Sequence, residues 1–107
     1  MTHRERRRRR QKRELTPAER LYVDAVASLG CLICRNEAEL HRPDGSVLDP
    51  YSAIPLCAWH HRKGPVGEAL HADQEAFEAR HGTEAQLQAQ VMQELVEKAR
   101  GEMELAG

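Results

Sequence analysis

Apolar and polar positions follow helical spacing over three long stretches of the chain and strand spacing over two short ones. The first helix opens at Thr16-Pro17-Ala18-Glu19. An N-cap threonine, a proline at the first helical position and a glutamate three residues after the cap together satisfy the free amides of a helix start. The helix runs to about Leu29 with Tyr22, Ala25, Val26 and Leu29 on one face, and Gly30 is placed to end it in a left-handed turn. Short apolar stretches over 38–40 and 52–56 read as a hairpin whose long connection carries Pro43-Asp44-Gly45 and Asp49-Pro50. Pro55 keeps the second strand short or at an edge. A short helix is predicted over 58–63, stopped by Gly64-Pro65, and a longer one over 68–81, carrying Ala69, Leu70, Ala76, Phe77 and Ala79 and closed by Gly82. Thr83-Glu84-Ala85-Gln86 is a second capping box, opening a last helix with Leu87, Val91, Leu95 and their neighbours Met92 and Val96 as its apolar stripe. The pattern predicts an α+β fold.

Composition makes that fold look thin. The 107 residues suffice for one domain but not for two cores and a linker. Only four are aromatic (Tyr22, Tyr51, Trp59, Phe77), so burial alone offsets chain entropy poorly. Something else must hold the domain together. No apolar run reaches the roughly 18 residues of a membrane span, which excludes one. No apolar segment follows the charged start, so an intracellular, cytoplasmic protein is expected. The net charge of -1 hides an asymmetry: residues 1–20 hold nine basic and three acidic side chains and sum to +6, leaving -7 for the rest. Residues 1–14 have no apolar residue after Met1 and are expected to be a disordered tail. Its Arg4, Arg6, Arg7, Arg8, Arg9, Arg10, Lys12 and Arg13 point to a polyanionic partner, DNA foremost. A solvated or targeting tail, or one that binds anionic lipid or RNA, is the alternative.

Three cysteines in a reducing compartment, two of them in a CxxC, suggest metal or redox chemistry before a disulfide framework. Cys31 and Cys34 follow the helix-ending glycine, and after 22 intervening residues comes Cys57-Ala58-Trp59-His60-His61. Two such knuckles, each with two ligands at a spacing of three, can close a tetrahedral shell, so Cys31, Cys34, Cys57 and His60 are assigned to a structural zinc. Such a site can add roughly 10 to 16 kcal/mol of apparent binding energy to folding. The competing reading is a redox pair at Cys31 and Cys34 with Cys57 an ordinary buried residue. His41, His61 and His71 remain nearby in sequence for a second metal or for proton transfer, whereas His3 lies in the tail and His81 at a helix end.

This ordered set resembles the HNH, or ββα-metal, nuclease pattern: a CxxC, a histidine at the end of the first strand, a polar residue in the connection, here Ser52, and LCxxCH opening a helix, here Leu56 to His61 with His60 for the second cysteine. GCLIC (30–34), AELHRPDG (38–45), IPLCAWHH (54–61) and LHADQEAFEARHGTEAQL (70–87) are similar to the phage-encoded Ref family of RecA-dependent recombination-enhancement nucleases. The resemblance covers about residues 22–95. It implies a small zinc-stabilised ββα-metal core over 15–107, with a preceding helix and two C-terminal helices, that hydrolyses DNA bound in a RecA filament using magnesium or manganese. His41 would orient or deprotonate water, His61 would hold the ion with His71 or Ser52 through water, and Arg42 would clamp a phosphate oxygen. The family has two adjacent histidines where this chain has His41-Arg42, and arginine keeps its proton and cannot act as a base. Either His41 takes the base role, or the chain is a noncatalytic zinc module that binds DNA or a filament.

Overall fold

The computed structural model describes residues 14–43 and 49–106. The basic tail and the Asp44-Gly45 part of the predicted turn lie outside them.

Helix α1 (Pro17–Ser28) starts where both halves of its capping box close. The Glu19 amide donates to Thr16 Oγ1 at 3.1 Å, and the Thr16 amide to Glu19 Oε1 at 2.9 Å. Its buried Val23 and Val26 face the core, and Gly30 adopts φ +77° beyond its end. The glycine is required for a second reason: a Cβ there would stand 2.9 Å from the Arg35 carbonyl oxygen, so any side chain would push away the following loop.

Strands β1 (Glu39–His41) and β2 (Ile54–Leu56) pair antiparallel with Glu39 opposite Leu56, Leu40 opposite Pro55 and His41 opposite Ile54. Among the described residues the sheet has two strands, so both are edges and Pro55 removes no interior ladder bond. Alternation puts Glu39 and His41 on one face of β1. A single 3-10 turn, Pro50–Ser52, precedes β2; its Asp49 cap accepts from the Tyr51 amide.

The predicted helix over 58–63 is a π-helical turn, Trp59–Lys63, ended by Gly64. The predicted helix over 68–81 is shorter than its apolar pattern suggests: α2 spans Gln74–His81, with Asp73 as N-cap accepting from the Ala76 amide. Residues 65–72 form turns instead, because the Leu70 and His71 amides donate to the His60 and His61 carbonyls. Ala69 and Leu70 are buried as expected, but under a turn. The second capping box closes at Thr83 and Gln86 and opens α3 (Glu84–Ala106).

The core joins Val26 of α1, Leu32, Ile54 and Leu56 of the sheet, Leu70, Phe77 of α2, and Leu87 and Val91 of α3. Cys31 and Cys57 belong to the same cluster, so two of the candidate metal-binding side chains are part of the interior. Leu95 packs against it, whereas Met92 and Val96, expected in the same stripe, stay 53% and 55% exposed. None of the described helices is long and apolar enough to cross a membrane.

Candidate metal centres

Among the described residues three groups of ligand-type side chains lie around the π-helical turn, and the third, His60, Glu68 and His81, shares His60 with the first. In the first, Cys31, Cys34, Cys57 and His60 bring one ligand atom each to within 4.8 Å of one another. His60 Nδ1 stands 3.3 Å from Cys57 Sγ and 3.7 Å from Cys31 Sγ, and Cys34 Sγ stands 3.6 Å from Cys57 Sγ. Sulfur ligands at about 2.3 Å from a tetrahedral zinc are about 3.8 Å apart, and a sulfur and a nitrogen about 3.5 Å, so the residues present fit a zinc-sized ion. The knuckles also supply amide donors to sulfur: Ile33 N to Cys31 Sγ at 3.4 Å and His60 N to Cys57 Sγ at 3.5 Å. Burial opposes ionisation of Cys31, but backbone hydrogen bonds outweigh it and bring its thiol below the ordinary value. The thiolate is the form a metal takes up, so this favours ligation at Cys31, whereas burial is the first cause of a raised thiol at Cys34. Around the shell, Glu68 Oε2 faces His60 Nε2 at 3.4 Å, and Arg80 holds the other Glu68 oxygen at 3.0 Å.

In the second cluster His41, His61 and His71 also bring ligand atoms within 4.8 Å of one another. His41 comes from β1, His61 from the π-helical turn and His71 from the loop before α2. Two local causes bring them together. The π turn bonds Gly64 N to the Trp59 carbonyl, and the next two carbonyls take the following loop, Leu70 N on His60 and His71 N on His61 at 3.0 Å. The antiparallel register aims His41 at both, with ring centroids 5.3 Å from His61 and 5.2 Å from His71. His61 Nε2 and His71 Nε2 are 3.0 Å apart, the span of two adjacent nitrogens held about 2.1 Å from one ion. The three rings line an open depression of about 290 Å³ together with Leu40, Arg42, Pro43, Leu70 and Gln74.

Protonation states suit ligation. Burial pushes His41 down to about 4, helped by the neighbouring His61 and His71, so its ring is neutral at pH 7. His71 is lowered too, by burial and then by His61. Behind His61, Glu39 Oε2 lies 2.8 Å from Nδ1, and Arg62 grips the same carboxylate through Nε at 3.1 Å and Nη2 at 2.6 Å. These hydrogen bonds, first from Arg62 and then from His61, hold the Glu39 carboxyl down at about 2.

The structure therefore gathers all four cysteine-and-histidine residues of the first set, with His60 and not His61 in that shell, and all three histidines of the second. Arg42 lines the depression, and its Nε is buried without a hydrogen-bond partner. Ser52 stands elsewhere: its hydroxyl donates to the Asp49 carbonyl at 2.8 Å, and it is not among the residues lining the depression. Arg4, Arg6, Arg7, Arg8, Arg9, Arg10, Lys12 and Arg13 lie outside the described residues. Sequence reading missed Glu39, Glu68, Glu84 and His81. Glu39 was within reach, since two residues before His41 on a strand is the same face; the others depend on contacts between distant segments. No protein-family model, curated protein or solved structure matches the chain, so the chemistry of these centres is read from its own residues.

Proposed function

We propose that the chain is a zinc-stabilised, metal-dependent DNA endonuclease of the HNH type, acting on DNA in a RecA-type filament as the Ref-like motifs suggest. The observation that carries this reading is the convergence of His41, His61 and His71 on an open depression, next to a separate, fully saturated Cys3His set. A closed four-ligand set suits structure, and an open one, in which two imidazoles can hold an ion and leave the third for proton transfer, suits catalysis.

Bound at the histidines, a divalent ion would supply Lewis-acid stabilisation of charge on the scissile phosphate. Imidazole ligands suit magnesium poorly, because it takes oxygen ligands and keeps its waters; manganese also accepts imidazole and is the better fit of the two. His41, buried to 6% exposure and neutral, is suited to holding the ion with His61. His71, exposed and lowered, is the imidazole able to take a proton from a water arriving from solution. Arg42 is placed beside them to clamp a phosphate oxygen, the role its permanent charge allows. The basic segment would hold the DNA electrostatically: eight phosphate contacts give a log-affinity against log-salt slope of about -7, from roughly -0.9 per contact, and removing residues 1–14 should flatten it.

The test is nicking of supercoiled plasmid with magnesium or manganese, alone and with RecA filaments, by the wild type, His41→Ala and His61→Ala. Cleavage by the wild type alone supports the assignment, and equal activity in all three removes it. A second reading, a noncatalytic zinc-binding adaptor for DNA or a filament, is favoured by one observation, Arg42 in place of the second histidine. It expects DNA binding without nicking.

A further inference from the structure

The three histidines are not equivalent, and the difference lies behind them. His61 Nδ1 is 2.8 Å from Glu39 Oε2. An ionised carboxylate only accepts hydrogen bonds, so this contact places the ring proton on Nδ1 and leaves the Nε2 lone pair to face His71 across the depression. Glu39 cannot swing away easily, because the Arg62 guanidinium grips both of its oxygens. On the other side, His41 Nε2 lies 3.4 Å from Glu84 Oε2, within ion-pair distance but without hydrogen-bond geometry between the two, and both atoms are shielded from solvent. A proton on His41 Nε2 would give that buried carboxylate oxygen a donor and leave Nδ1 for the depression. Glu84 is the first residue of α3, set in place by the Thr83 and Gln86 capping box. His71 differs: its side-chain partner is His61 itself, and it is exposed.

We propose that Glu39 and Glu84 are positioning residues that fix the ring nitrogens presented by His61 and His41, making these two the ion-holding pair and leaving His71 for proton transfer. The inference rests on the metal centre proposed above. Carboxylates behind ligating histidines set the tautomer and raise ligand basicity, and their loss typically weakens metal affinity by about 10- to 100-fold. If Glu39 were only a surface ion-pair partner of Arg62, its loss would leave ion binding unchanged.

The experiment uses the zinc-loaded full chain. Long-range proton–nitrogen NMR on the unaltered protein should show the Nδ1–H tautomer for His61 and the Nε2–H tautomer for His41. Manganese binding followed by electron paramagnetic resonance should weaken about 10- to 100-fold in Glu39→Ala and in Glu84→Ala, with part of the affinity recovered in Glu39→Gln and Glu84→Gln. The opposite tautomers, or wild-type affinity in both alanine variants, would overturn the proposal while leaving the histidine centre standing. Manganese binding that His61→Ala leaves unchanged would overturn the centre as well. Should Glu84→Ala fail to fold, the tautomers of the unaltered chain still decide.

Discussion

The two histidine-bearing centres share one π-helical turn, yet adjacent residues on it face opposite duties. His60 points inward, where three cysteines complete a set of four and Cys31 and Cys57 are themselves core residues. His61 points to the other side, toward two more histidines and an open depression. A one-residue step on a widened turn thus separates a closed donor set, suited to holding the fold, from an open one, suited to exchange and chemistry. The lesson is energetic as well as geometric. The chain has only four aromatic residues, so an ion at the closed centre would add stability that apolar burial supplies poorly.

Breaking the closed centre should have the largest effect. Cys57→Ser, or removal of the ion by a strong chelator, is expected to unfold the chain, since a zinc ion bound there would supply apparent binding energy on the order of 10 kcal/mol; far-UV circular dichroism reads this directly. Changes at the open centre should behave differently. On the proposed nuclease reading, His71→Ala is expected to slow nicking by about 100- to 10,000-fold, the usual range for a lost acid–base group, with the melting temperature nearly unchanged. A fold that melts with His71→Ala would merge the two centres into one structural unit.

Phe77 is fully buried on α2, with its ring 4.9 Å from that of His81. Phe77→Ala should cost about 3 to 5 kcal/mol in urea unfolding, by cavity formation, with zinc content retained. Retained zinc would show that apolar packing and the closed centre contribute separately.

Acid sharpens the contrast from the other side. The His41 value is pushed down to about 4 in the folded chain, below the roughly 6.5 of an unfolded one. Folding therefore excludes a proton that the unfolded chain binds, so the contribution is fully present above about pH 6.5 and is lost as pH falls toward 4. Without ion at the histidines, His41→Gln should flatten this part of the stability profile; an unchanged slope would mean that the buried ring is not its source. The smallest effect belongs to Thr83→Ala, about 1 kcal/mol for a lost N-cap, together with weaker manganese binding because Glu84 follows the cap.

The closed centre was legible in the sequence because its spacing is local: CxxC after Gly30 and CxxH after β2 need only a short hairpin to meet. Both capping boxes were legible for the same reason. The start of α2 was not. Ala69 and Leu70 have a helical spacing, but their burial serves a turn hung on the His60 and His61 carbonyls, a bond pattern no periodicity reveals. Met92 and Val96 show the converse error, since their neighbours Val91 and Leu95 take the inner face of α3. The carboxylates behind the histidines were the least visible, because Glu84 meets His41 across more than forty residues of chain.

Native mass spectrometry through a chelator titration, with circular dichroism on the same samples, tests the division of the two centres most directly. One zinc ion per chain should persist after every exchangeable ion has left, and its loss should coincide with unfolding and with exposure of the thiols. A folded chain that holds no zinc and titrates its cysteines freely would contradict the division.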